Sequence, residues 1–179
     1  MAKALNDGEP PPAGLIEKEK SAFEQLAAFY KLGTGYSAML VTRPQTLGYG
    51  LSDSPAGLAG WIYDKFAAWT DSGGEPERVL TRDEMLDDIS IDWLTNTGTS
   101  SSRLYWENNK NVFNAVDISI PVGVTVFPGE IYRAPKSWGE RNYHNLIYWH
   151  EVDKGGHFAA REQPQLFAEE IRAAFRSLR

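Results

Sequence analysis

The chain has 179 residues, 42% of them hydrophobic and 12% aromatic, with a net charge of −6 and a pI near 5.1. Those values belong to a globular chain of one domain or a large part of one, and they disfavour nucleic acid or an anionic membrane as partner, since either needs a basic patch. With no cysteine anywhere, disulfides, thiolate nucleophiles and cysteine-rich zinc sites are excluded.

The first fourteen residues, MAKALNDGEPPPAG, are polar and hold three consecutive prolines. They lack the apolar h-region of a secretory signal and read as a flexible leader or the scar of a cut. No segment reaches the roughly 18 apolar residues of a membrane span. A cysteine-free chain also suits a reducing compartment, so a cytoplasmic location is expected.

From Leu15 onward, Ile16, Phe23, Leu26, Ala27 and Tyr30 fall on one helical face, and the pattern stops at Gly33 and Gly35. YSAMLVTRPQTLGYGLS, with Pro44 and several glycines, reads as irregular. Ser54 is an N-cap with Pro55 at the first position of the next helix. DSGGEPER is a loop, and Thr81 with Glu84 forms a capping-box pattern for another helix. Ser100 to Ser102 would cap a short helix through RLYWENN. The expected organisation is a leader over residues 1–14, helices and loops over 15–110, and a different kind of structure from 111.

IPVGVTVF, residues 120–127, is short, valine-rich and bounded by Pro121 and a PGE turn, as a buried strand would be. NLIYWHEV, residues 145–152, is a second strand, with one helical turn and loops between them. The chain closes on an amphipathic helix that offers Leu166, Phe167, Ile171, Ala174, Phe175 and Leu178 to a core. Strand, crossover, strand, helix is α/β order. Two strands cannot bury both faces of a parallel sheet, so this is expected to be the closing edge of a larger one.

Ligands of open α/β sheets bind beyond the carboxyl ends of the strands. Glu130 follows the first strand at once, and His157, behind Gly155 and Gly156, follows the second. A carboxylate beside a histidine fixes the imidazole tautomer and stabilises the imidazolium that forms when it takes a proton. Spacing alone leaves two readings open, a catalytic pair or an ordinary loop histidine. His144 and His150 read as structural, and the three histidines lack metal-ligand spacing, so neither metal nor cofactor is expected. The tryptophans, taken singly, read as packing.

VTRPQTLGYGLSDSPAGLAGWIYDKFAAWTD, SSRLYWEN, FPGEIYRAP and GGHFAAREQPQLFAEEIRAAF resemble, in order and spacing, the C-terminal half of microsomal-type epoxide hydrolases. The resemblance runs from about Leu26 to Arg179 and implies a partial α/β-hydrolase fold: a helical lid over 15–110, then the last strands and C-terminal helix over 111–179, with the N-terminal half absent. In that family an aspartate opens the epoxide to an ester, which water hydrolyses to a vicinal diol. The resemblance implies that His157 activates the water, that Glu130 orients His157, and that the lid tyrosines Tyr36 and Tyr105 bind the epoxide oxygen. Phenols suit that task because they donate a hydrogen bond while staying neutral at pH 7.

The family's nucleophile sits on a small-x-Asp-x-small turn and its oxyanion loop resembles H-G-x-P; this sequence contains neither. Its elbow-like string is GLSDS, residues 50–54, but Ser52 and Asp53 fall inside the lid block and follow no buried strand. The leading expectation is therefore an epoxide hydrolase segment, inactive alone, acting on a small apolar epoxide with an N-terminal half or a second copy as partner. The alternatives are a non-catalytic binding protein that keeps the lid pocket and, third, a haloalkane dehalogenase-like or other α/β hydrolase, a serine hydrolase built from Ser52, Glu130 and His157 among them.

Overall fold

The computed structural model describes residue 5, residues 10–108 and residues 118–179. Its helices are α1 (Glu17–Leu32), α2 (Gly35–Thr42), α3 (Pro44–Asp53), α4 (Pro55–Trp69), α5 (Arg82–Leu94) and α6 (Gly98–Glu107). Strand β1 (Val122–Val126), α7 (Lys136–Asn142), β2 (Leu146–Glu151), α8 (Ala159–Glu162) and α9 (Pro164–Ala174) follow. The described residues divide into two compact units. One lies within Met1–Lys31, Trp69–Asp71 and Asn114–Arg179; the other lies within Leu32–Ala68 and Ser72–Phe113.

The second unit is helical. Its segment expected to be irregular is a pair of helices, α2 and α3. Pro44 opens α3 at a position where a backbone N–H has no intrahelical partner to lose. Gly48 lets α3 press on α6, because a Cβ there would stand 2.4 Å from Thr99 Cγ2. Residues that look like breakers thus serve a close helix contact. Leu40, Leu51, Leu58, Phe66, Met85 and Ile89 are buried in this unit.

Two N-termini form as the sequence predicts. Gly57 N–H donates to Ser54 Oγ at 3.1 Å. At α5, Glu84 N–H donates to Thr81 Oγ1 at 3.2 Å and Thr81 N–H returns a bond to Glu84 Oε2 at 2.7 Å. At α6 the cap lies earlier than expected. The helix begins at Gly98, and Ser102 donates back to Gly98 O at 2.9 Å from inside it.

In the first unit β1 and β2 pair in parallel, with Val124 opposite Trp149 and Val126 opposite Glu151. Glu170 ties α9 to this pair by accepting from Thr125 Oγ1 (3.0 Å), Tyr148 OH (2.9 Å) and His150 Nδ1 (3.0 Å). His150 is thereby structural. Helix α1, grouped with the lid region from sequence, packs here instead. Phe23 and Leu26 are buried in a cluster with Leu5, against Tyr132 and Trp138. Buried Glu19 accepts from Ser137 Oγ at 2.6 Å and Arg141 Nη2 at 2.8 Å. Leu5 is therefore packed within the expected leader. Residues 1–4 and 6–9 of that leader, and the expected boundary at 110, lie outside the described residues.

Two burial expectations fail for one reason. Within β1 only Val126 is buried. Along α9, Ala174 is buried, but Ile171 and Phe175 stay 43% and 37% exposed and Leu178, just beyond, 56%. A two-stranded sheet is narrower than the apolar stripe of the helix lying on it, so among the described residues much of that stripe stays open. No described helix is long and apolar enough to cross a membrane.

Candidate active site

Because β1 and β2 are parallel, their carboxyl ends share one edge of the first unit. Beyond that edge the two loops touch once more. Gly129 N–H donates to Gly155 O at 2.9 Å, and Gly129 bridges Gly156. One residue further along each loop stand Glu130 and His157, so the ladder itself delivers them to each other. His157 Nδ1 lies 3.1 and 3.2 Å from the two Glu130 oxygens. An ionised carboxylate can only accept, so Nδ1 carries the proton in this contact and Nε2 is the ring nitrogen not engaged by Glu130. Glu130 Oε2 also accepts from Ile131 N–H at 2.9 Å.

The loop needs its glycines. Gly155 has φ +100, a left-handed conformation that side chains disfavour. At Gly156 a Cβ would stand 2.7 Å from Trp69 O and 2.8 Å from Asp71 N. The His157 ring is bracketed by Trp69 and Phe158, each with its ring centroid at 5.2 Å. The hydrogen bond to Glu130 raises the imidazole pKa above its usual value; burial opposes this, while the charges of Glu130 and Glu162 add to it. Burial alone would push Glu130 up, but the bond and charge of His157 and the Ile131 N–H outweigh it and hold the carboxyl low. The arrangement favours an ion pair.

The helical unit brings Tyr36 and Tyr105 together, 69 positions apart in sequence. Their rings meet edge to face with centroids 5.9 Å apart and an interplanar angle of 84°. Burial, the neighbouring Tyr105 phenol and a hydrogen bond to it push the Tyr36 pKa up to about 12. Tyr36 is therefore a neutral donor throughout the ordinary pH range. Lys65 Nζ lies 4.6 Å from the Tyr36 ring centroid and 2.6 Å from Asp64 Oδ2. Among the described residues no group of three or more His, Asp or Glu could hold a metal ion.

No family model matches the chain. Individual relatives do. A Stigmatella aurantiaca protein that carries the name epoxide hydrolase is 55% identical over 169 residues, 94% of this chain and 38% of that protein. Epoxide hydrolase 1 of Sus scrofa is 40% identical over 157 residues, covering 80% of this chain and 35% of its own. The crystal structure of juvenile hormone epoxide hydrolase from Bombyx mori matches with a TM-score of 0.81 and 28% identity, over 99% of this chain and 45% of that one. Over most of its length the chain is homologous to part of proteins named epoxide hydrolase.

The chain spans a little over a third of the length of these curated relatives. Its architecture is the corresponding part of the α/β-hydrolase fold of epoxide hydrolases, as the sequence resemblance implies. The names of the relatives favour neither the dehalogenase nor the non-catalytic binder. The serine alternative also fails on geometry. Ser52 and Asp53 end helix α3 rather than stand on a strand-to-helix elbow, and Ser52 Oγ lies 2.9 Å from Thr99 Oγ1.

Reading the sequence of this epoxide hydrolase relative missed the ring's aromatic bracket and the cation beside Tyr36. Phe158 could have been suspected, since it follows the histidine directly. Trp69 and Lys65 carry no local signal, because each reaches its partner only through the fold.

Proposed function

We propose that this chain supplies the ring-opening and water-activating groups of an epoxide hydrolase, with the nucleophilic aspartate arriving on a different stretch of polypeptide. The observation that carries the reading is the 3.1 Å contact of His157 Nδ1 with Glu130 beyond two parallel strand ends. In the first step an aspartate oxygen bonds to an epoxide carbon and the carbon–oxygen bond of the ring breaks. The electron pair stays on the ring oxygen, which takes hydrogen bonds and a proton from Tyr36 and Tyr105. In the second step His157 Nε2 takes a proton from water while that water attacks the ester carbonyl. Glu130 stabilises the resulting imidazolium. As the tetrahedral adduct collapses, the imidazolium gives its proton to the departing alkoxide oxygen to release the diol. The proton left on the aspartic acid returns through solvent to the tyrosinate, restoring tyrosine, histidine and free carboxylate.

The substrate class we propose is a small apolar epoxide. Turning such reactive rings into diols is a detoxifying step, and we assign that role to the cytoplasm, which suits a cysteine-free chain. The open apolar stripe of α9 supports a covering partner, and we propose the nucleophile-bearing polypeptide in preference to a second copy.

Co-expression with the preceding portion of the Stigmatella aurantiaca relative tests this. With styrene oxide as probe, the chain alone should give negligible diol and the co-expressed pair should turn over. In single-turnover measurements on the pair, Tyr105→Phe should slow ester formation and leave ester hydrolysis comparatively intact. Turnover by the chain alone at ordinary enzyme rates, about 1 s⁻¹ or more, would overturn the proposal.

A further inference from the structure

The loop that carries His157 is held by a carboxylate the reaction does not consume. Glu162 is only 7% exposed. Burying a carboxylate is costly unless its oxygens are satisfied, and here backbone donors satisfy them. Glu162 Oε2 accepts from Asp71 N–H at 2.8 Å and Gly156 N–H at 3.1 Å, and Oε1 accepts from Phe158 N–H at 3.0 Å. The amides on either side fit the same scheme. Gly155 N–H donates to Asp71 Oδ2 at 3.0 Å, and His157 N–H donates to Trp69 O at 2.9 Å. Four consecutive amides, 155 to 158, thus have assigned acceptors, and three of the four end on a carboxylate.

We propose that Glu162 and Asp71 are the positioning residues of the acid–histidine pair, fixing the backbone of residues 155–158 so that His157 Nδ1 meets Glu130. A loop that only had to turn could be closed by apolar packing or by water. Two carboxylates aimed at its N–H groups hold the backbone on both sides of His157. Their relevance to turnover rests on reading His157 as the water-activating base; the geometry itself does not. The charge of Glu162 also favours the imidazolium, a second effect in the same direction.

The experiment is NMR on the ¹⁵N-labelled 179-residue chain, comparing wild type with Glu162→Gln and Asp71→Asn. Imidazole nitrogen shifts at about pH 9 report which ring nitrogen of neutral His157 holds the proton. Amide exchange reports the loop. In Glu162→Gln, the Gly156 and Phe158 amides should lose at least about tenfold in protection, the scale of a hydrogen bond to a charged group. The imidazole should move from the Nδ1–H form toward the Nε2–H form that dominates in water. If Glu162→Gln does not fold, Asp71→Asn is decisive, with Gly155 losing protection and the tautomer shifting the same way.

A melting temperature that falls while tautomer and exchange at 155–158 stay unchanged would overturn the proposal. These readouts need no nucleophile and no substrate. Absence of diol in the co-expression assay would therefore count against the proposed function and leave this result standing.

Discussion

His157 and Glu130 shift each other's titration in opposite directions, and this gives their pairing a defined pH window. The folded chain holds the His157 proton more tightly than the unfolded chain, whose value is about 6.5. The histidine's contribution to stability is therefore full below that pH and is lost as pH rises through the raised folded value. Glu130 works the other way, its contribution being full above about pH 4.5 and lost as pH falls through its lowered folded value. In urea unfolding, the stability difference between wild type and His157→Gln should be largest between those pH values and shrink by pH 9. A difference that ignores pH would contradict the ion pair. Strand order in the sequence suggested the pairing, because each residue follows a strand and parallel strands share an edge. It left an ordinary loop histidine open, and the catalytic roles were what the family resemblance implied. Asp71 and Glu162 were not legible in sequence, because a carboxylate that binds backbone N–H groups has no motif until the loop geometry is known.

At the scale of elements, caps and periodicity carried the reading where helix ends obey local rules. The Thr81–Glu84 box is an example, and it gives a clean prediction. Thr81→Ala removes the acceptor of Glu84 N–H and should cost about 1 kcal/mol in urea unfolding. A change below a few tenths would show that the box contributes nothing to α5. Local rules failed where a tertiary contact decided the outcome. Pro44, Gly48 and Gly50 suggested irregular chain, yet α3 is regular because Gly48 must admit Thr99. Helix α1 was recognised but put with the wrong neighbours, since periodicity shows that a face is apolar and not what it meets. Its Phe23 and Leu26 pack against Tyr132 and Trp138, more than 100 positions away.

Across the whole chain, the open apolar surface likewise depends on what covers a stripe, which periodicity does not reveal. α/β order was readable because strand and helix patterns alternate at their proper lengths, whereas the partial α/β-hydrolase fold was implied by the family resemblance alone. The exposure of Ile171, Phe175 and Leu178 was not readable, because an amphipathic stripe looks the same in sequence whether or not a sheet covers it. That exposure supports the proposal that the chain holds the groups serving a covalent intermediate while the group that forms it lies on another stretch of polypeptide. The direct test is mass spectrometry of both polypeptides after His157→Gln, assembled with the nucleophile-bearing portion of the relative, meets styrene oxide. With His157 as the proposed water-activating base, its loss should let the ester accumulate. One substrate mass should be added to an aspartate of the companion polypeptide and none to this chain. An adduct on this chain, at Ser52, Asp53 or any other residue, would contradict the proposal.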